Sequence, residues 1–372
     1  MKLGRSSNII ATLVFSLVIA ATLKVHGEDI APQLIDQANF DDFRRMWGAP
    51  DGAFYLMERG GCEIRTYPDK KARTIKLKGS RKLVSSDRGN FYGVVRYDSF
   101  SPSALSIREI TLYSSTGKQQ YTINEPDCSA FVISDEGPNV VGVSGVEGLG
   151  TTRLKFYNGR GKLVGTSDVE SFSNPTFSAN GAYLFALGSG GTLMKFNNSG
   201  QHLGDLLQCR KYFVSDDGEI VAAYSDTILT IITGSTQPIG LSIESDEMRE
   251  IRFSHDGTRL AMLSTDRLEV FDLVDRSLVG EYRVEDSTYQ LLHLAADENL
   301  NSIVVSASNS GAGPEIRHRE GKVILFDGIA RKLWEDELSY SDWSIRFPEV
   351  RMNRDGNLFS ALTPNGLKVY EL

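Results

Sequence analysis

Ile251-Arg252-Phe253, then Ser254-His255-Asp256-Gly257, then Arg259-Leu260-Ala261-Met262-Leu263, form the stretch whose reading decides the fold. Two short apolar runs flank a tight turn, because Gly tolerates positive φ and Asp bonds the local backbone. A third run, Arg267 to Asp272, alternates as a half-buried strand does, and a fourth, Leu278 to Arg283, completes the unit. Residues 249–286 therefore predict four antiparallel strands, A to D, in order.

Working outward, the turn recurs. Copies stand at Asp51-Gly52, Asp87-Arg88-Gly89, Asp135-Glu136-Gly137, Asn180-Gly181, Asp217-Gly218 and Asp355-Gly356, with a degenerate one at Asp297-Glu298-Asn299. A second signal, an apolar-x-x-aromatic strand end, follows each turn. It reads Ile64 to Tyr67, Ile110 to Tyr113, Leu154 to Tyr157, Leu193 to Phe196, Leu268 to Phe271, Val323 to Phe326 and Leu367 to Tyr370, with Leu229 to Ile232 lacking the ring. Both signals give eight units at a mean spacing of about 43 residues, the range of four-stranded propeller repeats. Outside the N-terminus only residues 34–46 carry even a weak helical period. One such sheet cannot bury both faces; stacking sheets in a closed ring does so and protects their edges. The fold class is all-β, a single β-propeller of four-stranded blades, eight in number, or seven if the first unit packs as a cap.

The last unit ends at Leu372 directly after strand C, and residues 28–42 have no place in the first unit. Part of that segment, Leu34 to Phe40, is expected to pair as the outer strand of the last blade. The organisation expected is thus 1–27 signal peptide, 28–42 N-terminal segment with the closing strand, and 43–372 propeller. The first assignment rests on Lys2 and Arg5 before the apolar run Ile9 to Ala21, with Gly27 at the cleavage position. That run is shorter than a spanning helix requires. Cleavage removes Lys2, Arg5 and Lys24 and takes the formal charge from −8 to −11. Such a balance argues against a nucleic-acid partner and, with no further span, for a secreted or periplasmic monomer.

The motifs together resemble the WD40-like propeller superfamily, and within it the bacterial extracytoplasmic branch with Phe-Ser-x-Asp-Gly repeats. Phe253 to Gly257 carries that pattern in full and Phe177 to Gly181 carries it with Asn180 for the aspartate; Phe271-Asp272 and Phe326-Asp327 stand where eukaryotic repeats have Trp-Asp. The resemblance covers 43–372. It implies the fold and little about function, since this scaffold serves many roles. The Gly-His dipeptides of the eukaryotic repeats are missing, so their hydrogen-bonded tetrad is not expected.

In an up-and-down blade, A–B and C–D turns share one end of the ring and B–C and D–A connections the other. The long stretches 97–108, 144–152, 309–321 and 336–346 all fall on the second end, and insertions gathered on one side commonly mark the binding side. They hold Tyr97, Asp98, Phe100, Arg317, His318, Arg319, Tyr340 and Trp343, which include the aromatic and Arg types that dominate interfaces. Single residues among them also read as edge cover of the core.

Catalytic signals are weak. His202, His255, His293 and His318 are scattered, and neither H-x-x-x-H nor C-x-x-C occurs. Ser85 to Gly89 partly matches a sialidase aspartate box but reads as the ordinary repeat turn. Phe326 to Trp334 resembles one quinoprotein repeat, once in eight units. Cys62, Cys128 and Cys209 are too few and too distant for a disulfide framework. The leading expectation is an exported, non-enzymatic binding or scaffold propeller for a protein, peptide or glycan partner, with no catalytic residue and no cofactor. The alternative is an exported propeller enzyme of hydrolase or lactonase type, using channel-mouth carboxylates and a divalent cation whose ligands the sequence does not name. A quinone-dependent oxidoreductase is a remote third.

Overall fold

The computed structural model describes residues 31–39, 43–48, 53–58, 61–67, 71–76, 81–97, 107–125, 127–145, 151–225, 228–234, 238–242, 248–310, 318–339, 348–363 and 366–372. The expected signal peptide, 1–27, lies outside them. The strands form eight separate four-stranded antiparallel sheets. Seven run in chain order. In the eighth, Gln33–Asn39 lies outside Gly366–Glu371, with pairs from Gln33↔Glu371 to Asn39↔Gly366. The weak helical period over 34–46 is overruled: the residues form strands Gln33–Asn39 and Phe43–Gly48, because each supplies a partner to a sheet that otherwise lacks one.

The decisive unit folds as Met248–Phe253, Arg259–Ser264, Arg267–Asp272 and Ser277–Arg283. Its turn shows why the motif recurs. Ser254 Oγ accepts from Arg259 N at 2.9 Å and donates to Asp256 Oδ1 at 2.6 Å. Gly257 N donates to Ser254 O at 2.9 Å, with φ +68° at Gly257. The same five-residue clasp is made by Ser86, Ser134, Ser178 and Ser215. Asn353 and Asp297 make it with carboxamide and carboxylate oxygens. Asp297 therefore occupies the serine position of the degenerate copy, not the aspartate position, and Leu300 takes the left-handed conformation at φ +56°. The copy at Asp51-Gly52 lies outside the described residues.

Strand B is buried on both faces, as Leu358–Thr363 and Arg259–Ser264 show, whereas the outer strand Ser277–Arg283 is mostly exposed. Strand C departs from simple alternation: Arg267, Leu268 and Val270 are all buried. The cause is stacking, since each sheet is sandwiched between two others. The core is accordingly split into layers between neighbouring blades. One joins Leu263, Leu268 and Val270 to Leu294, Ile303 and Phe326; another joins Phe185 and Leu193 to Tyr212 and Val221. Gly165 and Gly280, on outer strands, admit the C–D turn of the next blade, for a Cβ there would lie 1.8 Å from Ser199 O and 1.9 Å from Ile329 O. The layer joining the last blade to the first holds Tyr67, Leu362 and Val369, with Ile35 packed against it. Tyr67 Oη donates to Asp36 Oδ2 at 2.6 Å. Tyr370 Oη donates to Asp336 Oδ2 at 2.7 Å one blade earlier, so Asp36 fills the outer-strand position of the repeat.

Candidate functional site: the charged axial channel

The inner strands approach one another around the axis. Described examples are Arg81–Ser85, Cys128–Ile133, Ser173–Phe177, Lys211–Val214, Met248–Phe253, Tyr289–Ala296 and Glu349–Met352. Each leads into an A–B turn whose second residue stands at the channel mouth: Asp87, Asp135, Ala179, Asp216, His255, Glu298 and Arg354. These turns are knitted together. Arg88 N donates to Asp135 Oδ1 at 2.8 Å, Glu136 N to Ala179 O at 2.7 Å and Asn180 N to Asp216 O at 3.0 Å. His255 N donates to Glu298 O at 2.7 Å, Glu298 N donates to Arg354 O at 3.1 Å, and His255 Nδ1 lies 3.3 Å from Asp216 Oδ2.

Ion pairs also cross the axis. Arg88 of the second blade reaches Asp216 of the fifth. Arg252 Nη1 of the sixth lies 3.7 Å from Asp87 Oδ2 of the second, and Arg354 Nη2 of the eighth lies 3.6 Å from Glu136 Oε1 of the third. Arg354 Nε also holds Glu298 Oε2 at 2.5 Å. The A–B end of the channel is thus closed by charges of both signs. Two cavities lie beside this plug: one of about 90 Å³ among Asp87, Arg252, Asp297 and Arg351, and one of about 350 Å³ bounded by Asp135, Lys211, Arg249 and Arg252.

Enclosure perturbs these groups. Burial, aided by the negative charge of Asp87, pushes the Asp135 carboxyl up to about 7, against hydrogen bonds from Ser86 and Arg88 N. Burial works to raise Glu250 too, but His293 and Arg252 hold it down to about 2. Its Oε1 lies 2.9 Å from His293 Nδ1 and its Oε2 accepts from Leu294 N at 3.0 Å. Burial lowers Lys211, against the attraction of Glu250.

The residues singled out in the sequence fare differently. Tyr97 is the last residue of strand Phe91–Tyr97, paired with Ile107 and packed against the layer of Val95 and Ile110. It ends a strand at the edge of the core instead of opening a loop, because the strand runs further than its turn chemistry implied. His318 and Arg319 likewise lie in strand His318–Asp327, where His318 pairs with Ser310. Asp98, Phe100, Arg317, Tyr340 and Trp343 lie outside the described residues. The channel network was not found from sequence, although a signal was present: the second turn position is charged in most copies. Among the described residues, no group of three or more His, Cys, Asp or Glu is arranged to hold a metal ion. Cys128 and Cys209 are free and buried.

No family model matches the chain, and no curated protein does. Solved structures match over most of its length. The C-terminal WD40 domain of Sif2 superposes with a TM-score of 0.65 at 12% identity, covering 92% of this chain and 98% of that one. BamB from Moraxella catarrhalis gives 0.55 at 10% identity, covering 92% and 100%. Kluyvelomyces marxianus Hsv2 gives 0.53 at 11%, covering 76% and 88%. At such identity the likeness concerns the fold alone, and by fold this chain is an eight-bladed β-propeller, similar to the WD40 and BamB propellers.

Proposed function

We propose that this protein is an exported, non-enzymatic binding propeller that recognises a protein, peptide or glycan partner at the end carrying its long connections. The observation that carries the reading is the contrast between the two ends of the ring. At one end, short A–B turns are hydrogen-bonded to one another and braced by ion pairs across the axis. At the other emerge the connections 98–106, 145–151, 311–317 and 340–348, between strands whose positions are set. A rigid scaffold presenting long connections from one end is the usual geometry of a recognition surface. Export is supported by Lys2 and Arg5 ahead of the apolar run Ile9 to Ala21.

The test is a crosslinking pull-down from the exported compartment with the tagged mature protein, against a triple variant Arg317→Ala, Arg319→Ala, Trp343→Ala. Circular dichroism and melting first establish that the variant is folded. The expected result is a defined partner captured by the parent and lost by the variant. Equal capture by both, or no capture by the parent, overturns the reading. Mass spectrometry of the mature N-terminus tests export separately, with a start near Glu28 expected.

A further inference from the structure

The C–D turns hold their own backbone and leave their tips to solvent. Asn158 Oδ1 accepts from Arg160 N at 3.0 Å and from Lys162 N at 3.2 Å, and Asp272 Oδ1 accepts from Val274 N at 2.8 Å. What these connections carry differs around the ring. In the second and third blades they present Lys118, Arg160 and Lys162, all exposed. Arg73, exposed on the outer strand Lys71–Lys76 of the first blade, donates through Nη1 to Thr116 O and Gly117 O, each at 3.4 Å. The turn before Lys118 therefore rests on the first blade. Gly161 in turn lies against Tyr121 on the second blade's outer strand, for a Cβ there would meet the ring at 2.7 Å. The three blades join into one ledge, and among the described residues no ion pair holds Arg73, Lys118, Arg160 or Lys162. The one carboxylate among the described residues of these outer strands and turns is Asp168, which Arg153 holds at 2.7 Å. The sixth and seventh blades have the opposite balance: residues 272–283 and 327–339 contain seven carboxylates and four cations. Charges on an edge strand discourage pairing between sheets, but Lys118, Arg160 and Lys162 stand in connections, where no edge needs guarding.

A row of like charges repels itself, and a polyanion laid along it relieves that repulsion while releasing its own counterions. We propose that the outer rim of the first three blades, at the C–D end, binds a linear polysaccharide bearing carboxylate or sulfate groups. The cations follow one another from blade to blade, so their line crosses the strands. A peptide added to a sheet edge would run along a strand instead. The middle of the ledge also lacks the apolar and aromatic anchors of a protein interface. Its exposed neighbours are Thr116, Gln119 and Gln120, amides and hydroxyls suited to sugar hydroxyls, and the exposed apolar pair Leu163 and Val164 stands at one end. Among the described residues, no aromatic ring on the ledge is exposed to stack on a nucleic-acid base. The rim of a ring is convex, so a flexible chain meets more of these cations at once than a flat bilayer does. The surface lies away from the long connections, so it does not rest on the partner reading above.

The test titrates the full mature chain into fluorescently labelled heparin oligosaccharide and, separately, oligogalacturonate, with polyglutamate, single-stranded DNA and anionic phosphatidylglycerol vesicles as competing classes. Anisotropy or co-sedimentation is read over a range of salt. The expected result is saturable binding of one or both polysaccharides that weakens as salt rises. The triple variant Lys118→Gln, Arg160→Gln, Lys162→Gln should bind at least about tenfold more weakly and with a shallower salt dependence. The matched variant Arg276→Gln, Arg331→Gln, Lys332→Gln, with the same change in net charge on the sixth and seventh blades, should bind as the parent does. If the first variant does not fold, lysine acetylation of the parent still decides: the bound chain should shield Lys118 and Lys162 and leave Lys332 reactive. Binding of heparin alone assigns sulfate as the group recognised, and binding of both assigns carboxylate as sufficient. Equal loss in the two triple variants, no saturable binding of either polysaccharide, or tighter binding of polyglutamate, DNA or vesicles overturns the proposal.

Discussion

Removing residues 28–42 tests the ring closure most directly. Six register pairs join Gln33–Asn39 to Gly366–Glu371, so on the order of five backbone hydrogen bonds are lost, each worth about 1 kcal/mol net. The bond from Tyr67 to Asp36 goes with them. It is charge-assisted but only partly buried, so about 1 kcal/mol is appropriate. The total, roughly 6 kcal/mol, is comparable to the whole stability of an ordinary domain, about 5–15 kcal/mol. At about 2 °C per kcal/mol for a large domain, the melting temperature should fall by roughly 10 °C. The truncation also leaves Gly366–Glu371 as an open edge, which favours aggregation. Differential scanning calorimetry of the truncated and full mature chains, with light scattering, measures both effects. Asp36→Asn, which keeps the strand but weakens the Tyr67 bond, should cost only about 1 kcal/mol. Melting of the truncation within about 2 °C of the parent, still in one cooperative transition, would refute the view that this strand locks the ring.

Gly280→Ala should destabilise by about 1–3 kcal/mol in chemical denaturation through overpacking against Ile329 O. Gly240→Ala, where nothing lies within 4 Å, should be nearly neutral, and equal costs at the two sites would remove the blade-contact explanation. Asp135 binds its proton more tightly folded than unfolded, so its contribution is fully present below about pH 4 and is lost as pH rises through about 7. Asp135→Asn should therefore flatten the fall in stability between about pH 4 and 7; a parent and variant with parallel pH profiles would contradict that assignment. The thiols of Cys128 and Cys209 are raised by burial, Cys209 to about 11. Peptides bearing them should stay unmodified by iodoacetamide at pH 8 in the native protein and react on unfolding; native-state labelling of either would show that its blade layer opens.

The sequence alone determined the blade. Ser254, Asp256 and Gly257 act within five residues, and the apolar-x-x-aromatic end Leu268 to Phe271 marks its strand, so both signals are local and repeat with the unit. The incomplete last unit and the unplaced N-terminal segment likewise pointed to a pairing between the ends of the chain. Strand lengths were less legible, as Tyr97 and His318 show: turn residues mark where a strand must stop only when the connection is tight. The channel network was legible only as a charge at the second position of most turns. Asp87, Arg252 and Asp216 look like ordinary solvated turn and strand charges. Their meaning comes from closure of the ring, which brings Arg88 and Asp216, 128 residues apart, across one axis. Closure also replaces bulk water with a narrow cavity. Charge partners at the axis are properties of that geometry, so only the tertiary structure decided where opposite charges meet.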